Sequence, residues 1–141
     1  MFALIVALSL TATRIEGRIE GMSVAEVRAV YNDASVVFES TIGISAPKTG
    51  VVRVKGVTAW KLNTLFPNAG GLIAGNYNRG SRTAWIALDL GIQQCTLFHE
   101  FEHYLFHSTG LSNVMDNQAE HHWIHQMEIA YNPECEQEDG S

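Results

Sequence analysis

Residues 92–108 constrain the fold of this chain more than any other segment, because they are apolar around most of a helical circumference. On a helical wheel, five polar side chains share a single arc of roughly 100°, and apolar residues occupy much of the remainder. That arc carries Thr96, His99, Glu100, His103 and His107. Such a helix must be surrounded by other elements, with only its polar arc facing a cleft.

The flanking patterns predict what surrounds this helix. The 141 residues are enough for one domain with its own core. A capping-box pattern, Ser23-Val-Ala-Glu26, predicts a helix that begins there and runs to about Glu39. The other predicted elements are strands at 41–45, 51–57, 70–77 and 83–90, a short helix at 58–66 and a last helix at 116–131. This order predicts an α+β fold: a small, mostly antiparallel sheet with an N-terminal helix, followed by the central helix and a C-terminal helix.

The two ends of the chain differ from the central domain, which we place at residues 22–133. Residues 1–12 are apolar, too short to span a bilayer and not preceded by a positive residue, so a buried strand is preferred to a signal peptide. Residues 14–21 repeat Arg-Ile-Glu-Gly and are interpreted as a connector, which makes 1–21 an N-terminal segment. Residues 134–141 form an acidic tail. A cytoplasmic location is expected, with secretion the alternative if residues 1–12 act as a signal peptide.

Charge is distributed unevenly along the chain. All nine Lys and Arg residues lie at or before Arg82, whereas all six His residues and ten of the fifteen acidic residues follow it. The net charge of -6 excludes a generally basic nucleic-acid binder. A segment rich in His and carboxylates without Lys or Arg suits a cation site. Cys95 and Cys135 are too few for a disulfide framework, and Cys95 is interpreted as a small core residue.

The polar arc contains an H-E-x-x-H motif, His99-Glu100-Phe-Glu-His103. On a helix, this spacing places two imidazoles one turn apart on one face with the first glutamate beside them. Two imidazoles occupy adjacent corners of a zinc tetrahedron, and the glutamate reaches a water on the same metal. Glu102 falls among the apolar positions of the wheel, and the sequence indicates no partner for it.

The last helix is expected to supply a third ligand, since catalytic zinc usually takes three protein groups. Trp123 and Met127 lie on its inward face, with Asp116 and Glu120 near the centre of that face. A carboxylate in an apolar face costs several kcal/mol unless it is paired or bound to a metal. Glu120 is therefore the preferred ligand, and Asp116 is the second choice. The residues expected to project away from this face are His121, His122, His125 and Glu128.

The stretch Thr96-Leu-Phe-His-Glu-Phe-Glu-His-Tyr-Leu-Phe-His107, followed by Gly110-Leu111 and Glu120, resembles the small gluzincin-type zinc metallopeptidases. These include compact phage and bacterial proteins and the related ImmA/IrrE-like metallopeptidases. The resemblance covers about residues 72–133. In the ImmA/IrrE-like branch the acidic ligand lies three residues before an Ala, which would select Asp116. The spacing after the motif is shorter here, so Glu120 remains preferred.

The resemblance implies a zinc-dependent peptidase with a peptide or protein substrate and a single zinc ion per chain. His99, His103 and Glu120 would hold the metal, and Glu100 would be the general base. An edge strand at 83–90 would align extended substrate, by analogy. The candidates for stabilising the oxyanion are Tyr104, His107 and Tyr131, and nothing in the sequence chooses among them.

The alternative is a zinc-binding interaction or regulatory module that keeps a metallopeptidase-like fold without catalysis. Glu100 separates the two interpretations, because it binds no metal and is needed only for chemistry. Its presence favours an enzyme.

Overall fold

The β-branched run at residues 51–57 lies inside a four-stranded sheet. The computed structural model describes residues 13–67 and 71–137. The strand order is β1 (Arg14–Arg18), β2 (Val51–Val57), β4 (Thr83–Ala87) and β3 (Gly75–Asn78). β2 runs parallel to both of its neighbours, β1 and β4, whereas β3 is antiparallel to β4. The α+β prediction is confirmed, but the sheet is mixed rather than mostly antiparallel.

The Arg-Ile-Glu-Gly repeat, expected to be a connector, supplies β1. Gly17 within it has a φ of +97°, and a Cβ atom there would lie 2.3 Å from the carbonyl oxygen of Val54. Only glycine permits this approach of the two backbones. Ile19, just after the strand, is buried in the core. The strand or signal peptide predicted at residues 1–12 lies outside the described residues.

The first helix, α1 (Val24–Ile42), begins where the capping box predicts. The Ser23 hydroxyl accepts a hydrogen bond from the Glu26 backbone N–H at 3.0 Å, and the Glu26 carboxylate accepts one from the Ser23 N–H at 2.8 Å. The helix ends at Gly43, which has a left-handed φ of +82°, so the strand expected at 41–45 is wrong. Because α1 carries the chain back along the sheet, β1 and β2 can pair in parallel.

Three further helices follow close to the predicted positions. They are α2 (Ala59–Leu65), α3 (Gln93–Ser108) and α4 (Asn117–Tyr131). Short 3₁₀ helices lie at Leu111–Asn113 and Pro133–Gln137. Within residues 13–67 and 71–137, no helix has the length and hydropathy that a bilayer-spanning segment requires.

α3 is the buried helix that its sequence predicts. On one side it packs on α1, where Phe106 meets Phe38 edge to face with 5.4 Å between ring centroids. Phe101 meets Tyr31 in the same manner at 5.2 Å. On its other sides α3 contacts α4, β3 and β4. It therefore forms the centre of the hydrophobic core, and its remaining face is directed toward α4.

A disulfide joins the start of α3 to the end of the described chain. Cys95, in the first turn of α3, is bonded to Cys135 in the 3₁₀ helix after α4, with 5.4 Å between the Cα atoms. Both cysteines are fully buried. The interpretation of Cys95 as a core residue therefore missed its covalent partner, which fastens the C-terminal end of α4 beside α3.

Candidate metal centre

α3 presents the H-E-x-x-H residues on the face that meets α4. The rings of His99 and His103 lie one turn apart, with 4.9 Å between their centroids. His99 and Glu100 are buried, and His103 is half-buried. The helical spacing of the motif therefore brings both imidazoles to one place, as the sequence predicts.

The third imidazole in this cluster is His121, in the second turn of α4. One ring nitrogen from each of His99, His103 and His121 can be chosen so that all three lie within 4.8 Å of one another. These three residues are close enough to bind one metal ion. The expectation that His121 projects away from the site is wrong, whereas His122 and His125 are exposed as expected.

Glu120, the predicted third ligand, lies beside the cluster and contacts one of its histidines. Its Oε2 atom is 2.5 Å from Nδ1 of His103, and its Oε1 atom accepts a hydrogen bond from the Ser112 hydroxyl at 2.7 Å. Arg79 Nη2 is 3.8 Å from the same Oε1. The carboxylate is buried, as predicted, and its described contacts are with these side chains.

Glu128 makes the corresponding contact with His99, the other histidine of the motif. Its Oε1 atom lies 3.2 Å from Nδ1 of His99, and its side chain is buried. The expectation that Glu128 lies off the inward face is wrong. The predicted inward face includes Trp123, a residue that is in fact 40% exposed. Rotating the face away from Trp123 brings both Glu128 and His121 inward.

Asp116, the second-choice ligand, is the N-cap of α4. Its carboxylate accepts a hydrogen bond from the backbone N–H of Ala119 at 2.7 Å, and the residue is exposed. Its position on the predicted inward face is therefore wrong, because the residue precedes the helix and satisfies one of the free N–H groups of the first turn.

Burial and hydrogen bonding set the charge states of the His103–Glu120 pair. Burial lowers the pKa of His103 to about 4, even though the bond to Glu120 opposes this shift. Burial alone would raise the pKa of Glu120, but the hydrogen bonds from His103 and Ser112 outweigh it and the pKa lies below its usual value. The imidazole is thus neutral at neutral pH, the form that binds metals, and the carboxylate is ionised.

A cleft of about 340 Å³ opens beside the cluster. Its lining residues are Asn76, Tyr77, Arg79, Glu100, His103, Asn117, Glu120 and His121. Glu100 approaches the backbone of β3 at Gly75, where a Cβ atom would lie 2.6 Å from Glu100 Oε2. Glycine at this position therefore makes room for the motif carboxylate.

β3 is the edge strand that borders this cleft. The strand predicted at 83–90 for the edge is β4, which lies inside the sheet between β2 and β3. The assignment of the edge is therefore corrected from β4 to β3. The reason is that β3 and β4 form an antiparallel hairpin, which adds β3 as the outermost strand on that side.

None of the three candidates for oxyanion stabilisation is among the residues lining this cleft. Tyr104 is buried, His107 Nδ1 lies 2.8 Å from the Tyr77 hydroxyl, and Tyr131 stacks on Phe98 at 4.1 Å. Tyr77 itself lines the cleft. The sequence reasoning missed its position, as it missed Arg79, because both lie on a hairpin whose place beside α3 depends on the tertiary fold.

Glu102 has an environment unlike that of the other buried carboxylates. It is fully buried, and within the described part of the chain neither carboxylate oxygen has a hydrogen-bond partner. Burial and the nearby charge of Glu128 raise its pKa well above the usual value. Burial therefore favours the protonated form of Glu102.

Comparison of the chain with protein-family models, with curated proteins and with solved structures found no match.

Proposed function

We propose that this chain is a zinc-dependent peptidase in which His99, His103 and His121 hold the metal and Glu100 is the general base. The observation that carries the proposal is the grouping of these three histidines within reach of one metal ion, with His103 and His121 lining the same cleft as Glu100. Three imidazoles are a donor set that suits catalytic zinc and leaves a fourth position for water or substrate.

The carboxylates of α4 support a metal at this position. Histidines that bind metals usually direct their second ring nitrogen to a carboxylate, which fixes the ring and its tautomer. Glu128 occupies Nδ1 of His99, and Glu120 occupies Nδ1 of His103. Nε2 is then the nitrogen that each motif ring offers to the metal. We therefore assign Glu120 as the carboxylate that orients His103, and His121 as the third metal ligand.

The chain's own residues supply the proton transfer. When bound, zinc supplies Lewis-acid activation of the scissile carbonyl and of the attacking water. The Glu100 carboxylate accepts the proton of that water and passes it to the leaving amine. Glu100 lies on the cleft with Gly75 beside it, so its carboxylate is held at the cleft wall.

The substrate in this proposal is an extended peptide. β3 is the outermost strand on its side of the sheet, where an extended peptide would add as a further strand, and it contributes Asn76 and Tyr77 to the cleft. A peptide added along β3 would pass the histidine cluster, which brings its carbonyl groups toward Glu100.

The Cys95–Cys135 disulfide is relevant to the cellular compartment in which the chain functions. Disulfides persist in oxidising compartments and are rare in the cytosol. We propose that the chain functions in an oxidising compartment, in place of the cytoplasmic location expected from sequence. Mass spectrometry of protein isolated from its source under alkylating conditions should find Cys95 and Cys135 linked; two alkylated thiols would contradict this.

The test combines metal content with one matched pair of variants. Elemental analysis should find about one zinc per chain in purified protein. Glu100→Gln should keep zinc and lower kcat for peptide cleavage by about 10²- to 10⁴-fold. Glu102→Gln, the same change two residues further along α3, should retain cleavage because that side chain does not line the cleft.

Each outcome has a distinct meaning. A folded protein that binds no zinc contradicts the metal site. Unchanged cleavage by Glu100→Gln contradicts its assignment as the base. Stoichiometric zinc with no cleavage across a proteome-derived peptide library, with and without chelator, would instead support the zinc-binding module without catalysis.

A further inference from the structure

Arg79 is the cation that the β3–β4 hairpin brings to the cleft. The turn that carries it is held from two sides. Asn78 Oδ1 accepts hydrogen bonds from the Ser81 N–H at 2.9 Å and from the Ser81 hydroxyl at 3.0 Å. Arg53 Nη1, on the central strand β2, donates to the Ser81 carbonyl at 3.0 Å. The backbone that bears Arg79 is thereby fixed against the sheet.

The guanidinium of Arg79 is only partly engaged. Its side chain is half exposed, and its ion pair among the described residues is with Glu120, at 3.8 Å. That distance exceeds the 2.7–2.9 Å of a charge-assisted hydrogen bond. The Glu120 oxygens already contact His103 and Ser112. Because an arginine presents five N–H donors, Arg79 retains donors for a group that enters the cleft.

The charges along the cleft favour an anionic group at this point. Among the described residues that line it, Arg79 is the only Lys or Arg, and the two acidic residues are Glu100 and Glu120. Both of those carboxylates are buried, whereas the Arg79 side chain is half exposed to solvent. No Lys or Arg follows Arg82 in the sequence, so the cation beside the cleft comes from the first half of the chain.

We infer that Arg79 selects peptides that carry a carboxylate beside the cleaved bond, with its guanidinium binding that group. This inference rests on the proposed peptidase function, because it names the substrate class of the same cleft. A planar guanidinium can bind a carboxylate through two parallel hydrogen bonds while remaining near Glu120. The carboxylate can belong to an acidic side chain or to the C-terminus of the peptide, and both sources present the same group.

The experiment compares peptides that differ only in that carboxylate. One peptide that the protein cleaves is made with Glu or Gln at each position flanking the bond, and each version carries a free or an amidated C-terminus. The zinc-loaded protein should cleave the matching carboxylate form with a kcat/KM about tenfold higher than its neutral counterpart. The Glu/Gln pair and the acid/amide pair distinguish the two sources.

Variants of the same hairpin separate direct contact from general charge. Arg79→Gln should reduce the preference to less than about twofold, whereas Arg79→Lys should keep part of it. Arg82→Gln removes the same charge three residues away from an exposed side chain that does not line the cleft, and it should keep most of the preference. Zinc content is measured for every variant, since Arg79 is close to Glu120.

Measuring peptide binding without cleavage tests the role of Arg79 separately from the peptidase activity. Calorimetry with metal-free protein should give a Kd about tenfold lower for the carboxylate peptide than for its neutral counterpart, and Arg79→Gln should remove that difference. If no peptide is cleaved but this difference is found, the peptidase proposal fails and the anion site stands. Equal binding of both peptides, or a preference unchanged in Arg79→Gln, would overturn the inference.

Discussion

The two buried sides of α3, toward α1 and toward α4, are stabilised by different interactions. Toward α1 the contacts are aromatic, with Phe101 and Phe106 packed on Tyr31 and Phe38. Toward α4, Phe98 stacks on Tyr131, but the motif face makes polar contacts in which each motif histidine meets one carboxylate. The aromatic side gains its free energy from the removal of apolar area from water, which depends little on direction. The polar side is stable only where each buried group has a partner at the correct distance.

This difference predicts that the α1 side mainly stabilises the fold and that the α4 side mainly supports metal binding. Aromatic burial on the α1 side can supply several kcal/mol per side chain toward folding. Buried ionic pairs contribute little net stability, because desolvation offsets their attraction. We therefore expect substitutions on the α1 side to change the free energy of unfolding but not the metal ligands, whereas substitutions on the α4 side should change metal binding and, where they leave a buried partner unpaired, stability as well.

The largest expected effect on the polar side comes from His121→Ala, which removes the proposed third ligand. Loss of the hydrogen-bond partner of a ligand lowers zinc affinity by roughly 10- to 100-fold. Loss of the ligand itself should lower it by more than that. Glu120→Gln should fall within that smaller range, because it alters only the partner of His103. Zinc Kd values are obtained by competition with a chromogenic chelator.

The control for this comparison is His122→Ala, which removes the neighbouring imidazole from an exposed position on the same helix. Its zinc affinity should equal that of the unmodified protein. A larger loss in Glu120→Gln than in His121→Ala would restore Glu120 as the metal ligand and would reverse our assignment of the two residues.

On the aromatic side, Phe38→Ala is the informative change. Phe38 is fully buried against Phe106, and truncating such a ring costs about 3–5 kcal/mol in the free energy of unfolding. The folded fraction should still bind about one zinc per chain, since no metal ligand is altered. Urea denaturation measures the first quantity, and elemental analysis of the folded protein after gel filtration measures the second.

Val36→Ala on the same helix is the matched control, because Val36 is 64% exposed. Its free energy of unfolding should change by no more than about 0.5 kcal/mol. If Phe38→Ala instead remained fully stable but lost zinc, the proposed separation between the two sides of α3 would be wrong.

The same contrast explains how much the sequence predicts. The apolar periodicity of α3 and the Ser23–Glu26 capping box are local patterns, and both predicted their helices correctly. The two imidazoles of the motif are also related by local spacing. The element order predicted the α+β class, although the parallel pairing of β2 with both neighbours depends on the crossovers between strands.

The polar partners could not be found in this way. The His99–Glu128 contact spans 29 residues and the His103–Glu120 contact spans 17. A helical wheel ranks directions by hydrophobicity, so it placed Glu120 inward correctly but counted Trp123 as inward and turned Glu128 away from α3. The Cys95–Cys135 bond and the position of Arg79 likewise depend on the packing of distant segments.

The smallest expected effect is at Glu102. This carboxylate of α3 belongs neither to the aromatic contacts with α1 nor to the histidine–carboxylate contacts with α4. It is fully buried without a hydrogen-bond partner in the described chain, and burial followed by the charge of Glu128 raises its pKa well above normal. The folded protein therefore holds this proton to higher pH than the unfolded chain, which releases it near the usual pKa. The unfolded state therefore binds fewer protons, and stability is lost as pH rises above that value.

Glu102→Gln removes this loss because an amide does not ionise. In chelator-treated protein, we expect the variant to be more stable than the unmodified chain by about 1–3 kcal/mol at pH 7. The difference should shrink toward zero at pH 4, where the unfolded carboxyl is itself largely protonated. Urea denaturation at the two pH values measures it, and Glu20→Gln, at an exposed position, serves as the control. A variant that is destabilised at pH 7 would show that Glu102 makes a favourable ionised contact, and it would place this residue with the paired carboxylates of the polar side.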